Sequence, residues 1–317
     1  MRHLARLVIG IILVMLWWSS QTQLRTGGGS TAPPRFAPTA AAAEAPTKID
    51  VLKIGATSAL GGNVEQGQEE TARDTFRKFI KEETGYSSDV QSVENWANLC
   101  DELTVGKVHL GVFLGQEFAW AKAKNAKLRP LAIAVNTYPY RYACLMVNQN
   151  SKAGNFAGLQ GTMICLPKIG LPYLRLWLDG QSRANGKEAE AFFSKVLLQE
   201  NVELTLDDLI DGKLDCAIVD RVGLEGYKRR KPGRASGLKE LAQSEPLVPA
   251  LVAFQEGGID AATQQRILDG VAKAEKKKDG QRLLSLFRLS AFQPPPKDIE
   301  AVLAESLKKY PPPAKSK

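Results

Sequence analysis

Two hydroxyl residues, Thr57 and Ser58, follow an apolar run at 49–56 and precede a Gly-rich turn. This pattern predicts a strand that leads through a loop into an amphipathic helix from about Val64 to Glu83. Hydroxyls and free backbone N–H groups at a helix start suit a bound anion. The alternative is plain N-capping of that helix by Asn63. The turn has neither the Lys-Ser/Thr pair of a P-loop nor the spacing of a dinucleotide-binding fingerprint.

Polar residues also follow two later apolar runs. Gln116 comes shortly after the run at 108–113, and Asp220 comes directly after the run at 214–219. Ligands bind at the carboxyl ends of the strands in open parallel sheets, so both residues are candidates for a ligand site. For Asp220, capping of the next helix is an equally simple explanation.

Other chemistry has little support. With His3 and His109 as its only histidines and no CxxC spacing, the sequence lacks a zinc ligand set. Ser58, Cys100 and His109 form no recognisable nucleophile motif such as GxSxG. The acidic residues 207, 208 and 211 are typical of solvated helix caps. We therefore expect no enzyme activity, no metal and no cofactor.

The sequence 101–113 (DELTVGKVHLGVF) is echoed by 207–219 (DDLIDGKLDCAIV). Each copy predicts a helix end with a buried leucine, then a turn at Gly106 or Gly212, then a strand too apolar to be half exposed. Two copies imply two similar α/β units that face each other across a cleft. A strand at 143–148 and a return segment at 246–254 are candidates for the connections between them.

Composition fits a soluble globular chain of 317 residues, with 44% hydrophobic and 24% charged residues. Of the net charge of +8, the first 47 residues contribute +3 and the remainder +5. This mild excess attracts anions but excludes a nucleic-acid footprint. The basic run 228–231 is interpreted as an exposed helix end, with contact to acidic lipid or a partner as the alternative.

The amino terminus predicts export. Arg2 and Arg6 precede an apolar run at 7–18, which is the order of a secretory signal. Cleavage and retention as a membrane anchor both remain open. Outside the cytoplasm, two of the four cysteines could form a disulfide. Cys165 and Cys216 lie in apolar runs, where small buried side chains are expected. The sequence selects no pair.

The chain is expected to begin with a signal peptide or membrane anchor in 1–24 and a flexible Gly/Pro/Ala linker in 25–47. The folded part would consist of a first lobe in 48–140 plus 250–310 and a second lobe in 141–249. Residues 311–317 would form a disordered tail.

The sequence between about residues 53 and 286 resembles the periplasmic phosphate-, phosphite- and phosphonate-binding proteins of ABC transporters. The resemblance depends on elements that recur in order: WxxLxxxLxxGxVxLxxFxG at 96–115, YxxLxV at 142–147, a turn at 158–161 and GKLDCAIVD at 212–220. It implies an α/β type II periplasmic-binding architecture, with two lobes hinged by two crossing strands.

The resemblance also implies a function. A small anion such as phosphonate or phosphate would be captured by closure of the lobes, and a transporter permease would be the partner of a monomeric binding protein. We expect the ligand to contact Thr57, Ser58 and Gln116 of the first lobe and Lys168, Gly170 and Asp220 of the second. For Lys168, the alternative to ligand contact is a side chain that points into solvent.

One departure from the family bears on the ligand. Where relatives place a Ser-Thr-Ser cluster at the start of a second-lobe helix, this sequence has KIGLP at 168–172. The alternative function is a membrane-anchored sensor or interaction module with the same fold and an altered or lost ligand. A cleft lined by Trp96, Tyr138 and Tyr173 with few hydroxyls would favour this alternative or an aromatic ligand.

Overall fold

The computed structural model describes residues 49–57, 68–168 and 170–313. The predicted signal peptide or anchor, the linker, Ser58 and the last four residues of the predicted tail lie outside these ranges. Within the described residues, no helix is both long enough and apolar enough to cross a membrane.

The first lobe is built on a mixed sheet. Its described strands are, in sheet order, β11 (Ala291–Gln293), β4 (Leu128–Val135), β10 (Leu251–Gln255), β3 (Leu110–Phe113), β1 (Val51–Thr57) and β2 (Ser87–Val93). β1 is parallel to both of its neighbours, β2 and β3. β10 runs antiparallel between β3 and β4, and β11 is an antiparallel edge strand.

Helices cover both faces of this sheet. One face packs against α1 (Gln68–Thr84), α9 (Ala261–Val271) and α10 (Lys278–Leu286) around a core that includes Leu52, Ile54 and Phe79. The other face packs against α2 (Trp96–Thr104), α3 (Gly115–Lys124) and α11 (Ile299–Lys309). A sheet covered on both faces needs apolar strands, which explains why residues 131–135 are buried without alternation.

The second lobe repeats this arrangement on a smaller scale. The described strands are, in sheet order, β7 (Lys195–Gln199), β6 (Met163–Pro167), β8 (Cys216–Asp220), β5 (Ala143–Asn148) and β9 (Leu238–Gln243). β6 is parallel to β7 and β8, while β5 runs antiparallel between β8 and β9. Its helices are α4 (Leu171–Ala184), α5 (Ala189–Phe192), α6 (Val202–Ile210), α7 (Arg221–Arg230) and α8 (Pro232–Ala235).

The repeated sequence motif forms the same local structure twice. Asn95 caps α2 and Asn201 caps α6, in each case by accepting a backbone N–H bond of 3.0 Å. Gly106 and Gly212 end the two helices at φ of 72° and 73°, a region that favours glycine. The prediction of two related α/β units is therefore confirmed.

Two segments cross between the lobes side by side, at 136–142 and 244–250. Arg141 and Leu247 join them by a pair of backbone hydrogen bonds, of 2.8 and 2.9 Å, in an isolated antiparallel bridge. The strand β5, which was a candidate for the crossing, lies entirely within the second sheet.

A third connection comes from the carboxyl-terminal end of α11. Tyr310 follows this first-lobe helix, yet its side chain is buried in the core of the second lobe. Its hydroxyl donates to Glu245 of the second crossing at 2.8 Å. The lobes are thus held together by two crossings and by this aromatic side chain.

Candidate functional site

A cleft of about 1900 Å³ lies between the lobes. Residues at the carboxyl ends of β1, β3, β6 and β8 contribute to its walls, as expected for an open α/β sheet. Residues with polar groups or aromatic rings in these walls include Thr57, Gln116, Glu117 and Trp120 from the first lobe, Lys168, Tyr173 and Asp220 from the second, and Arg141 from the first crossing.

Thr57 is buried at the end of β1 and pairs with Glu117 of α3. The Thr57 hydroxyl donates to Glu117 Oε2 at 2.8 Å, and the Leu114 N–H donates to the same oxygen at 3.1 Å. Burial raises the pKa of Glu117, while these two hydrogen bonds oppose the rise. The hydroxyl predicted to bind a ligand is therefore engaged with a carboxyl group that the sequence reasoning missed.

Gln116 lies in the first-lobe wall but is held by the carboxyl-terminal segment. Its side-chain N–H₂ donates to the Tyr310 carbonyl oxygen at 2.7 Å, and its side-chain oxygen accepts from the Ser306 hydroxyl. Trp120 donates to the same carbonyl oxygen at 2.8 Å. Both ends of the Gln116 amide thus have protein partners.

Lys168 and Gly170 lie near the start of α4. The Lys168 side chain is exposed and forms an ion pair with Glu200, which is also exposed. Gly170 precedes the helix at φ of 79° and contributes backbone only. Because Pro172 has no N–H, the described residues at this helix start offer fewer donors than an ordinary helix start.

Asp220 connects three groups at the end of β8. Its Oδ1 accepts the Gly223 N–H at 3.1 Å and so caps α7. Its Oδ2 accepts the Tyr173 hydroxyl and lies 3.9 Å from Nη1 of Arg141. Burial, and then the Asp220 charge, raise the pKa of Tyr173 well above its ordinary value. The capping role and the cleft position predicted for Asp220 coexist.

The cleft has a different aromatic content from the predicted one. Tyr173 lines it, as anticipated, together with Trp120. Trp96 packs beside Trp120 with ring centroids 5.8 Å apart. Tyr138 donates to Glu225 of α7 at 2.8 Å, and Arg221 lies over its ring. Three phenylalanines, at positions 76, 287 and 292, also line the cleft, so its wall combines several aromatic side chains with charged residues.

Sequence reasoning missed Arg141 as a site residue. It stands in a Tyr-Pro-Tyr-Arg-Tyr run just before β5, and the sequence analysis interpreted this run as the approach to a strand. The feature that could have indicated its role was a single arginine at the predicted junction of the two lobes. Its contacts, Tyr173 and Asp220, are 32 and 79 positions away in the chain, so no local pattern contains them.

Other residues that the sequence analysis considered have structural roles. Nδ1 of His109 accepts the Lys53 N–H at 2.9 Å, and burial, assisted by the Lys53 charge, lowers the pKa of His109. The four cysteines are buried and free. Asp207 bonds to Lys231 and to Arg234, at 2.7 and 3.0 Å, so that the acidic and basic clusters partly neutralise each other. Among the described residues, no group of side chains is suited to a metal.

Three solved structures share the fold of this chain. A binding protein component of an ABC phosphonate transporter from Pseudomonas aeruginosa is 17% identical, with a TM-score of 0.50 over 82% of this chain and 86% of that chain. PhnD1 from Prochlorococcus marinus, solved with methylphosphonate, is 16% identical, with a TM-score of 0.52 over 82% and 98%. A Xanthomonas citri protein solved with ATP is 14% identical, with a TM-score of 0.55 over 82% and 97%.

The sequence comparisons give the family. No curated protein matches the chain at a significant level. The family model described as "ABC transporter, phosphonate, periplasmic substrate-binding protein" matches residues 63–298, which is most of the chain and includes the second lobe and most of the first. The type II two-lobe architecture agrees with this match. The chain belongs to the periplasmic substrate-binding proteins of phosphonate ABC transporters.

Proposed function

We propose that this protein captures a small oxyanion, such as phosphonate or phosphate, in the cleft between its lobes and delivers it to the permease of an ABC transporter. The observation that carries the proposal is the cleft itself, which is lined from both lobes and contains the cationic side chains of Arg141 and Lys168. The methylphosphonate found in a relative of the same fold supports an oxyanion ligand. The protein would act without chemical catalysis, as a monomer, on the outer side of the cytoplasmic membrane.

Ligand capture would follow from lobe closure. The crossings at 136–142 and 244–250 share one backbone bridge between Arg141 and Leu247, so small backbone rotations on either side of it can move one lobe against the other. A ligand that contacts both walls binds the closed state better and so shifts the population toward it. Thr57, Gln116, Gly170 and Asp220 would shape this site, and Lys168 would exchange Glu200 for the ligand. Ser58 is retained as a proposed contact from the sequence alone.

The loss of hydroxyls at the start of α4 favours a second candidate function. Gly170 and Pro172 provide no side-chain hydrogen bond, and Thr57 and Gln116 are engaged within the protein. A sensor or interaction module with an altered ligand would fit these observations. Such a protein would keep the fold but would not bind the oxyanions of the family.

Calorimetric titration of the purified protein separates the two candidates. Phosphate, phosphite, methylphosphonate and 2-aminoethylphosphonate are titrated at one fixed salt concentration. Micromolar or tighter binding of at least one of them supports the transport function. Lys168→Ala is expected to weaken it, whereas Lys195→Ala, a change of an exposed lysine at the opposite end of the second sheet, is the control. Binding of none of the four would favour the sensor or interaction module.

A further inference from the structure

Arg141 occupies a fixed position at the junction of the two lobes. Its backbone N–H and carbonyl group both bond to Leu247, at 2.8 and 2.9 Å, so the residue belongs to the bridge between the crossings. Its side chain lines the cleft and is 21% exposed. A charged group in this position is accessible to a ligand from either lobe.

The guanidinium group of Arg141 has donors to spare. Its nearest described carboxylate oxygen, Oδ2 of Asp220, lies 3.9 Å away, beyond hydrogen-bond distance. Among the described residues it makes no side-chain hydrogen bond, although a guanidinium carries five N–H donors. By contrast, Arg221 and Arg230 at the two ends of α7 are paired with Glu225 and Glu203 at 3.0 and 3.1 Å. Leaving so many donors unpaired in a half-buried site is unfavourable unless another molecule accepts them.

Two second-lobe residues hold this guanidinium in place. It lies 5.9 Å from the centre of the Tyr173 ring, within the range of a cation–π contact. The Tyr173 hydroxyl donates to Asp220, and Asp220 also caps α7. The carboxylate oxygens of Asp220 are therefore used within the protein, and its charge faces Arg141 rather than an open part of the cleft.

We propose that Arg141 anchors the oxyanion of the ligand, with Asp220 and Tyr173 as its positioning residues. One edge of a guanidinium forms two parallel hydrogen bonds with a phosphonate or carboxylate group. The apolar side chains that also line the cleft, Leu114, Trp120, Leu176 and Val222, suit an uncharged organic substituent. The ligand class is thus an organic oxyanion for which an amino group is not required.

This inference depends on the proposed function, and one titration series tests both. Methylphosphonate and 2-aminoethylphosphonate are titrated into the full chain and into Arg141→Gln, Arg141→Lys and Arg129→Gln. Arg129 is the control because it is an arginine outside the cleft, paired with Glu256 at the start of β4, whereas the first crossing leaves the other end of that strand. We expect the unchanged chain to bind methylphosphonate at least as tightly as 2-aminoethylphosphonate.

Arg141→Gln removes the positive charge of the side chain and is expected to weaken binding of both ligands by about 100-fold, because a desolvated ion pair is lost. Arg141→Lys keeps the charge but loses the planar fork, for which we expect a loss of about tenfold. Arg129→Gln should bind like the unchanged chain. If Arg141→Gln does not give a cooperative melting curve, Arg141→Lys decides by the same comparison.

A double-mutant cycle tests the positioning role of Asp220. Asp220→Asn is expected to weaken methylphosphonate binding when Arg141 is present but to have little further effect in Arg141→Gln, since the two residues act as a unit. Additive effects would show a role independent of Arg141 and would overturn the positioning role.

The outcomes separate the two proposals. If the unchanged chain binds an oxyanion and Arg141→Gln binds it within about twofold of the same affinity, the inference about Arg141 is wrong while the transport function stands. A clear preference for 2-aminoethylphosphonate over methylphosphonate would overturn the proposed ligand class. If the unchanged chain binds neither of these two ligands, the inference about Arg141 is overturned. If it also binds neither phosphate nor phosphite, the transport function is overturned as well.

Discussion

The ring of Tyr310 lies directly against Gly180 of α4, so that a Cβ atom on Gly180 would come within 2.6 Å of it. Tyr310 belongs to the segment that follows the first-lobe helix α11, whereas Gly180 belongs to the second lobe. The carbonyl oxygen of Tyr310 accepts hydrogen bonds from the side chains of Gln116 and Trp120 in the first lobe. One residue thus contacts both lobes.

Truncation of Tyr310 is expected to destabilise the whole chain. Tyr310→Ala removes a buried aromatic side chain, for which we expect a loss of about 3 to 5 kcal/mol in the free energy of unfolding. Tyr310→Phe removes only the hydroxyl that donates to Glu245 and should cost about 1 kcal/mol. Urea unfolding followed by circular dichroism measures both. Equal stability of the Ala and Phe variants would contradict the packing role.

The position of Gly170 is expected to matter for both stability and binding. An alanine there would adopt φ near 79°, which costs about 1 to 2 kcal/mol, and its Cβ would lie 3.1 Å from the Tyr173 ring. Gly161→Ala is the matched control, because Gly161 has φ of 78° with no neighbour within 4 Å of a Cβ. Both variants should lose similar stability in urea unfolding, but only Gly170→Ala should weaken ligand binding in calorimetry. Equal affinities would show that Tyr173 does not affect the ligand.

Glu117 is expected to give the stability a specific pH dependence. Because burial raises its pKa above the ordinary value of 4.5, the folded chain holds this proton more tightly than the unfolded chain. The contribution of Glu117 to the free energy of unfolding therefore falls as the pH rises from about 4.5 through the raised pKa. Glu117→Gln should remove this fall, as measured by urea unfolding across the acid-to-neutral range.

Thr57→Val provides the companion test for Glu117. The Thr57 hydroxyl stabilises the charged carboxylate, so its removal should raise the pKa of Glu117 further and extend the fall in stability to higher pH. The same slope in the unchanged chain, Glu117→Gln and Thr57→Val would exclude Glu117 as its source.

The cysteines are expected to resist thiol reagents in the folded chain. Burial raises the pKa of Cys144 and Cys216 to about 12 and that of Cys165 to about 11, so thiolate is scarce at neutral pH. The Cys100 thiol is buried too, and its pKa is also raised. Ellman's reagent should therefore react slowly with the native protein and rapidly, at all four thiols, in denaturant. Rapid reaction of a native thiol would indicate local opening.

The sequence was sufficient for those features that depend on neighbouring residues. Gly106 and Gly212 end helices because only nearby backbone geometry matters there, and the apolar runs after them predicted β3 and β8. The capping role of Asp220 was likewise visible from its place between a strand and a helix. These local signals predicted the two α/β lobes and the cleft between them.

The roles of individual site residues depend on contacts that are remote in the sequence. Gln116 is engaged by Tyr310, which is 194 positions away, and Lys168 by Glu200, 32 positions away. The accessible donors of Arg141 become apparent only when Tyr173 and Asp220 are placed beside it. No pattern of local spacing contains these pairings, so the sequence alone predicted the cleft better than the groups inside it.

The place of β10 between β3 and β4 determines the order in which the lobes can be completed. During synthesis from the amino terminus, all described strands of the second sheet are present once residue 243 has been added. In the first sheet, β3 and β4 cannot be joined until β10, at residues 251–255, has been made. The second lobe is a continuous insertion whose sheet is complete first, but its core lacks the Tyr310 side chain until the chain is almost finished. The cleft, which needs both sheets, can therefore form only after residue 255, and the lobe beyond it is closed by the last buried aromatic residue of the chain.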